Sequence, residues 1–295
     1  MRQRNMRRDA ESVPSARMCA VRVGVVVAAL TVPLATNAAE RVERLASLSC
    51  RTETIGSVTV AAVIDGRTLR LLDGREVRLA GIEVPAPDSG PPADLARTAL
   101  TGLVEGKQVL LRRPVQNTDG ADRHGRLTAH VFVAMDEAER SVQEALLAAG
   151  AARIAARTGS AFCPAEPPVK WAEKFLAAER SARSAKLGLW RISGYEVMRA
   201  EDPAGVLGEL GRFTLVEGNV VSVRESGGTI YVNFGRRWSE DFTVTIAKRN
   251  ERIFAAAGIE PGKLTGRRIT VRGYVEARGG PWIEAVVPEQ IEVGR

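Results

Sequence analysis

Histidine and cysteine are scarce in this chain: 295 residues contain only His124, His130 and three cysteines. No Cys-x-x-Cys pair or Cys/His spacing suitable for a zinc site is present. The apolar run Val23 to Leu30 falls well short of the ~20 residues that cross a bilayer, so a permanent anchor is not expected from it. Positive charge is thinner than the net +7 suggests. Six arginines before residue 40, set against Asp9 and Glu11, carry +4 of it, leaving +3 for everything after. So small an excess supports polyanion binding only where cations cluster locally. No internal sequence repeat is visible.

What is present begins with a basic stretch, an apolar run, Pro33 and the small residues Ala35, Ala38 and Ala39. That order reads as a signal peptide over residues 1–39, cut near Ala38 or Ala39, with Met1 or Met18 as the start. An exported chain, periplasmic or secreted, is therefore expected, with no membrane span once the signal is removed. With Cys19 inside the signal, Cys50 and Cys163 form an even pair. In an oxidising compartment a disulfide is the expected state, with two separate buried thiols as the alternative.

At 45% hydrophobic, the remainder is long enough for two domains. From Ser57 to Ile82 β-branched residues alternate around Asp65-Gly66 and Asp73-Gly74, strong hairpin signals that predict a three-strand meander. Helical spacing follows over Ala93 to Val104, then strands over Lys107 to Arg113 and Leu127 to Val133. Strand, strand, strand, helix, strand, strand is the order of an OB-fold barrel. Further helices are predicted over Ser141 to Ala149, with Ser141 and Glu144 in capping-box spacing, and over Val169 to Leu187. Residues 193–211 read as a linker. From 212 to 295 the same element order returns, predicting a second OB-like barrel. The fold class is mainly β with α, an α+β chain with domains at 40–192 and 212–295.

Three blocks occur in order: Val63-Ile64-Asp65-Gly66-Arg67-Thr68-Leu69, Val77-Arg78-Leu79-Ala80-Gly81-Ile82-Glu83-Val84-Pro85 and Asp122-Arg123-His124-Gly125-Arg126. They resemble the staphylococcal nuclease, or thermonuclease, family over about residues 57–190. The resemblance implies an OB-fold phosphodiesterase that uses calcium, two arginines and a glutamate that activates water. Cations must be placed around the charge that builds on phosphorus, and a carboxylate must take a proton from water.

By that resemblance Arg78 and Arg126 stand at the two phosphate-binding arginines. The first metal-ligand aspartate falls on Arg67, which replaces an oxygen donor with a fixed cation and should repel calcium. The second falls on Glu83, a longer carboxylate, and the carbonyl-lending threonine on Val84. The general-base position falls on Ala86, with Asp88 two residues on. What remains is a trio of guanidiniums, Arg67, Arg78 and Arg126, able to grip phosphate. His124 stands where the family has a tyrosine, and is either a ligand contact or ordinary surface. Arg78 on an alternating strand can equally face solvent, and Asp65-Gly66 can be only a turn.

In the second unit Arg224, Tyr231, Phe234, Arg236, Arg237 and Trp238 interleave cations with aromatics, the pattern by which OB-folds stack single-stranded bases. Core packing is the competing role for Tyr231, Phe234 and Trp282. Three functions stay open: a binder of DNA, RNA or phosphodiesters with little or no hydrolysis; an active metal-dependent endonuclease with a rearranged site built on Glu83 with Asp65 or Asp88; and a cell-envelope interaction scaffold. No cofactor is expected for the first, and Ca2+ for the second.

Overall fold

The computed structural model describes residues 52–114, 121–122, 124–135, 138–155, 168–237 and 239–294. The expected signal peptide over residues 1–39, the expected Cys50–Cys163 disulfide and Trp238 lie outside the described residues. Among the described residues no helix is long and apolar enough to cross a membrane.

The first barrel is built from β1 (Thr52–Asp65), β2 (Thr68–Leu71), β3 (Glu76–Leu79), α1 (Pro91–Val104), β5 (Gln108–Pro114) and β6 (Leu127–Met135), with the short β4 (Ile82–Glu83) between β3 and α1. β1 pairs with both β2 and β5, β3 runs parallel to β6, and β5 pairs with β6, which closes the sheet. The two Asp-Gly turns predicted from the sequence join β1 to β2 and β2 to β3. α1 starts after Gly90 with prolines where a helix needs no N–H, and it buries Ala96, Leu100 and Val104 at four-residue spacing over the barrel mouth. The Asp65-Gly66 turn lies hard against this helix. A Cβ on Gly66 would stand 2.7 Å from the Ala96 Cβ, closer than such carbons come. Glycine there lets the turn carrying Arg67 seat tightly against the helix.

β7 (Ala138–Ser141) leads into α2 (Val142–Ala148), where the Ser141 hydroxyl accepts the Glu144 N–H as the capping-box spacing predicts. α2 is pinned to β6 by Gln143, whose amide accepts from Val131 N–H and donates to Ala129 C=O. β8 (Arg153–Ile154) then pairs with β4, and α3 (Pro168–Ser184) packs beside α2.

Residues 193–211, expected as a linker, hold β9 (Met198–Arg199), which pairs with the second barrel, and α4 (Pro203–Leu207), which buries Val206. Their polarity hides short elements that complete a neighbour's edge instead of forming their own core. The second barrel runs β10 (Phe213–Asn219) into β11 (Ser222–Ser226), then β12 (Thr229–Asn233), β13 (Thr243–Ala247), α5 (Glu251–Ala256), β14 (Arg268–Tyr274) into β15 (Glu276–Arg278), and β16 (Gly280–Glu284). β11 pairs with β12, β12 with β13, β13 parallel with β16, β16 with β15, and β14 with β10. This is the same closure as in the first barrel, so the chain carries two OB-type barrels. β17 (Ile291–Val293) adds to the edge of β14.

Apolar and ionic contacts hold the barrels together. Ala182 and Trp190 from the first pack with Phe213 and Leu215 of β10. Beside them Arg272 of β14, fully buried, pairs with Glu179 of α3 and Glu292 of β17. Glu292 also faces Arg183 at 3.4 Å and Arg180 at 3.5 Å. Burial disfavours the Arg272 charge, but the two carboxylates outweigh it and raise its pKa. Burial likewise pushes the Glu292 carboxyl up, yet Arg272 and Arg183 hold it below its ordinary value. Glu179 spends its other oxygen on the Ile154 N–H at 2.8 Å, tying the clamp directly to β8.

Candidate phosphate-binding site

The three guanidiniums singled out in the sequence converge at one end of the first barrel, but the structure gives each a different neighbourhood. Asp65 caps its own turn, accepting the Arg67 N–H at 2.8 Å and the Thr68 hydroxyl at 3.0 Å. The turn reading of Asp65-Gly66 therefore holds. The Arg67 side chain reaches across to Glu83 on β4, with Nη1 2.8 Å from Oε2, and both are mostly buried. Arg126 is gripped by Asp122, which receives its Nε at 2.9 Å and its Nη2 at 2.7 Å. The same carboxylate accepts the backbone N–H groups of His124 and Arg126. Burial raises the Asp122 carboxyl, but the Arg126 fork and those N–H groups prevail and hold it at about 2. His124 itself is exposed on this loop.

Arg78 differs. It sits mid-strand on β3, opposite Thr68 on one side and Thr128 on the other, and among the described residues it makes no ion pair. Burial lowers its pKa, and the like charges of Arg67 and Arg126 lower it further. A half-buried guanidinium repelled by two others and lacking its own carboxylate is a seat for an incoming anion. Strand alternation puts Arg78 on the face opposite the buried Val77 and Leu79, where it is half-buried beside the charges of Arg67 and Arg126.

Sequence reasoning missed Tyr274. It comes from the last residue of β14 in the second barrel, is 41% exposed, and packs edge-on against Phe213 with ring centroids 5.6 Å apart. Phe213 and Tyr195 are both covered by Arg153, at 4.9 and 5.0 Å, and Arg153 is the strand partner of Glu83. Burial raises the Tyr274 pKa, the Glu83 charge and hydrogen bonding raise it again, and Arg67 and Arg78 oppose them. The phenol therefore stays protonated, with its one O–H donated to Glu83. No local pattern marks it, because it reaches the site through docking of one barrel on the other.

Residues 76–192 match the model of the family described as Staphylococcal nuclease homologue. Over these residues the first barrel is similar to the staphylococcal nuclease family. Two curated relatives from Bacillus subtilis (strain 168) align with the chain. Endonuclease YncB is 30% identical over 152 residues, 48% of this chain and 65% of that protein. SPbeta prophage-derived endonuclease YokF is 29% identical over 147 residues, 47% of this chain and 45% of that protein. The chain thus spans less than two thirds of either relative's length.

Members of the staphylococcal nuclease family typically work with calcium, a hard ion that needs several oxygen ligands. The residues here do not fit it. Arg67 stands where an anionic donor is needed and its guanidinium takes the Glu83 carboxylate for itself. Among the described residues no three His, Cys, Asp or Glu side chains gather in a way that suits a metal. Ala86, exposed on the loop before α1, offers no proton acceptor.

The nuclease-type barrel is accompanied by a second concave surface on its neighbour. A groove of about 770 Å³ is lined by Arg224, Tyr231, Arg236, Arg278 and Trp282, with Asp241 at its side. Tyr231 meets Trp282 edge-to-face at 6.4 Å, and the Arg278 guanidinium lies 3.8 Å over the Trp282 ring. The buried indole N–H of Trp282 has no hydrogen-bond partner among the described residues. Asp241 is occupied by the Arg237 N–H and Glu240 by the Arg237 side chain, while Arg224 and Arg236 make no ion pair among the described residues. Tyr231 and Arg236 thus line the groove together, whereas Phe234 is buried in the core. Trp282, for which core packing was the competing role, lines the groove. Its alternating position is compatible with either face, so only the closed barrel distinguishes them.

Proposed function

We propose that the chain is an exported nucleic-acid-binding protein that grips phosphodiesters on a nuclease-type barrel and hydrolyses them slowly or not at all. The observation that carries this reading is the contrast between Arg78 and Glu83. The phosphate-side cation lacks a carboxylate partner among the described residues, while the carboxylate left over from the metal site is neutralised by Arg67. A site so arranged attracts a phosphate ester yet lacks the oxygen donors for calcium and the base for water. Loss of a general base alone costs on the order of 10²- to 10⁴-fold in rate. The relatives' names as endonucleases support nucleic acid as the ligand. The basic-then-apolar leader supports export.

The test mixes the purified chain with labelled single- and double-stranded DNA and RNA, in calcium and then in EDTA. Expected are intact nucleic acid, binding that weakens steeply with salt, and a loss of about ten- to a hundredfold in affinity for Arg78→Ala, the range for a hydrogen-bonded charge. Chelator-sensitive cutting abolished by Arg126→Ala would establish the rearranged endonuclease instead. Absence of binding at any salt concentration would leave the envelope scaffold.

A further inference from the structure

The two cationic surfaces are on different barrels, yet one stretch of chain touches both. Tyr274 ends β14 at the phosphate seat, and Arg278 ends β15 in the groove over Trp282. Three residues lie between them, so their Cα atoms, four steps along the chain, are at most about 14 Å apart, the reach of a fully extended chain. A stacked nucleic-acid strand covers the same span in about four nucleotides at ~3.4 Å each. The geometry is fixed rather than hinged. Arg272, two residues before Tyr274 and on the same face of β14, is clamped to Glu179 of the first barrel, and Glu179 in turn holds the Ile154 N–H on the strand paired with Glu83.

We infer that the seat around Arg78 and the groove around Trp282 are the two ends of one track for single-stranded nucleic acid, with Tyr274 as the contact between them. The inference rests on the phosphate-binding reading of the first barrel and adds to it the substrate class and the purpose of the second. A phosphate at the Arg78 end meets a guanidinium, and the nucleotide beside it meets the partly exposed Tyr274 ring, whose O–H is held by Glu83. Bases further along meet the Tyr231 ring and the Arg278 guanidinium that lies over Trp282, planar surfaces on which only unpaired bases can stack. Arg224 and Arg236 neutralise the backbone between, while Arg278 is shared with Glu276 at 3.3 Å. A duplex buries its bases and gains only the charge contribution.

Fluorescence anisotropy with the whole chain and labelled oligothymidylates, at one fixed salt concentration, tests this. One track predicts a single decamer per chain, bound on the order of 100-fold more tightly than a dinucleotide because the second contact is intramolecular. Arg78→Ala and Trp282→Ala should each remove most of that gain, and Tyr274→Ala about tenfold of it. Arg278→Glu, on an exposed side chain, replaces Trp282→Ala if the latter fails to fold by circular dichroism. Two decamers per chain, with Arg78→Ala abolishing one and leaving the other's affinity intact, would overturn the track while preserving phosphate binding on the first barrel. No oligonucleotide binding by the unaltered chain would overturn both.

Discussion

At the scale of single residues, the character of the first barrel's site turns on one exchange of charge. Arg67 faces Glu83 at 2.8 Å, where the family resemblance places a pair of anionic ligands. Arg67→Asp removes the fixed cation and sets a carboxylate opposite Glu83. Calorimetry should then register weak calcium uptake, on the order of 10⁻⁴ to 10⁻³ M, where the unaltered chain registers none. Uptake by the unaltered chain as tight as by the variant would refute the electrostatic argument. The Asp122 carboxyl, held at about 2 in the folded protein against an ordinary 3.8, gives a pH signature. A carboxyl whose folded value is depressed contributes stability that is fully present above pH about 4 and lost as the pH falls toward 2. Asp122→Asn should be less stable at neutral pH and lose less of its stability across that acid window, as followed by urea unfolding at stepped pH. Equal acid sensitivity in both proteins would show that the loop fork adds nothing.

Among elements, the decisive contact is the docking of β14 on α3. Arg272 is fully buried with Glu179 and Glu292, and a buried ion group of this kind gives little net stability when intact. Breaking it by half is different, because the stranded charges stay buried. Arg272→Met should cost about 3–5 kcal/mol in urea denaturation. A cost below about 1 kcal/mol, the range of an exposed ion pair, would mean that water reaches the carboxylates and that the barrels are not held as described. The strands themselves were plainly encoded. Asp65-Gly66 and Asp73-Gly74 fixed the hairpins, and Ala96, Leu100 and Val104 fixed the buried face of α1. The docking was not encoded locally, since Arg272 and Glu179 stand 93 residues apart and each alone reads as an ordinary surface charge.

For the whole molecule, two barrels of identical closure have diverged in what they offer: one an arginine seat, the other an aromatic groove. Element order, the three-block family likeness and the standing of Arg67 at a metal-ligand position and Ala86 at the general-base position were all legible in the amino-acid sequence, because hairpin chemistry, side-chain alternation and residue charge are local properties. Tertiary structure alone decided that Arg78 makes no ion pair among the described residues, that Tyr274 of one barrel meets Glu83 of the other, and that Trp282 lines a groove instead of filling a core. Those outcomes depend on which faces meet across long chain separations, and a period-two pattern states only that a side chain points inward or outward, never what awaits it there.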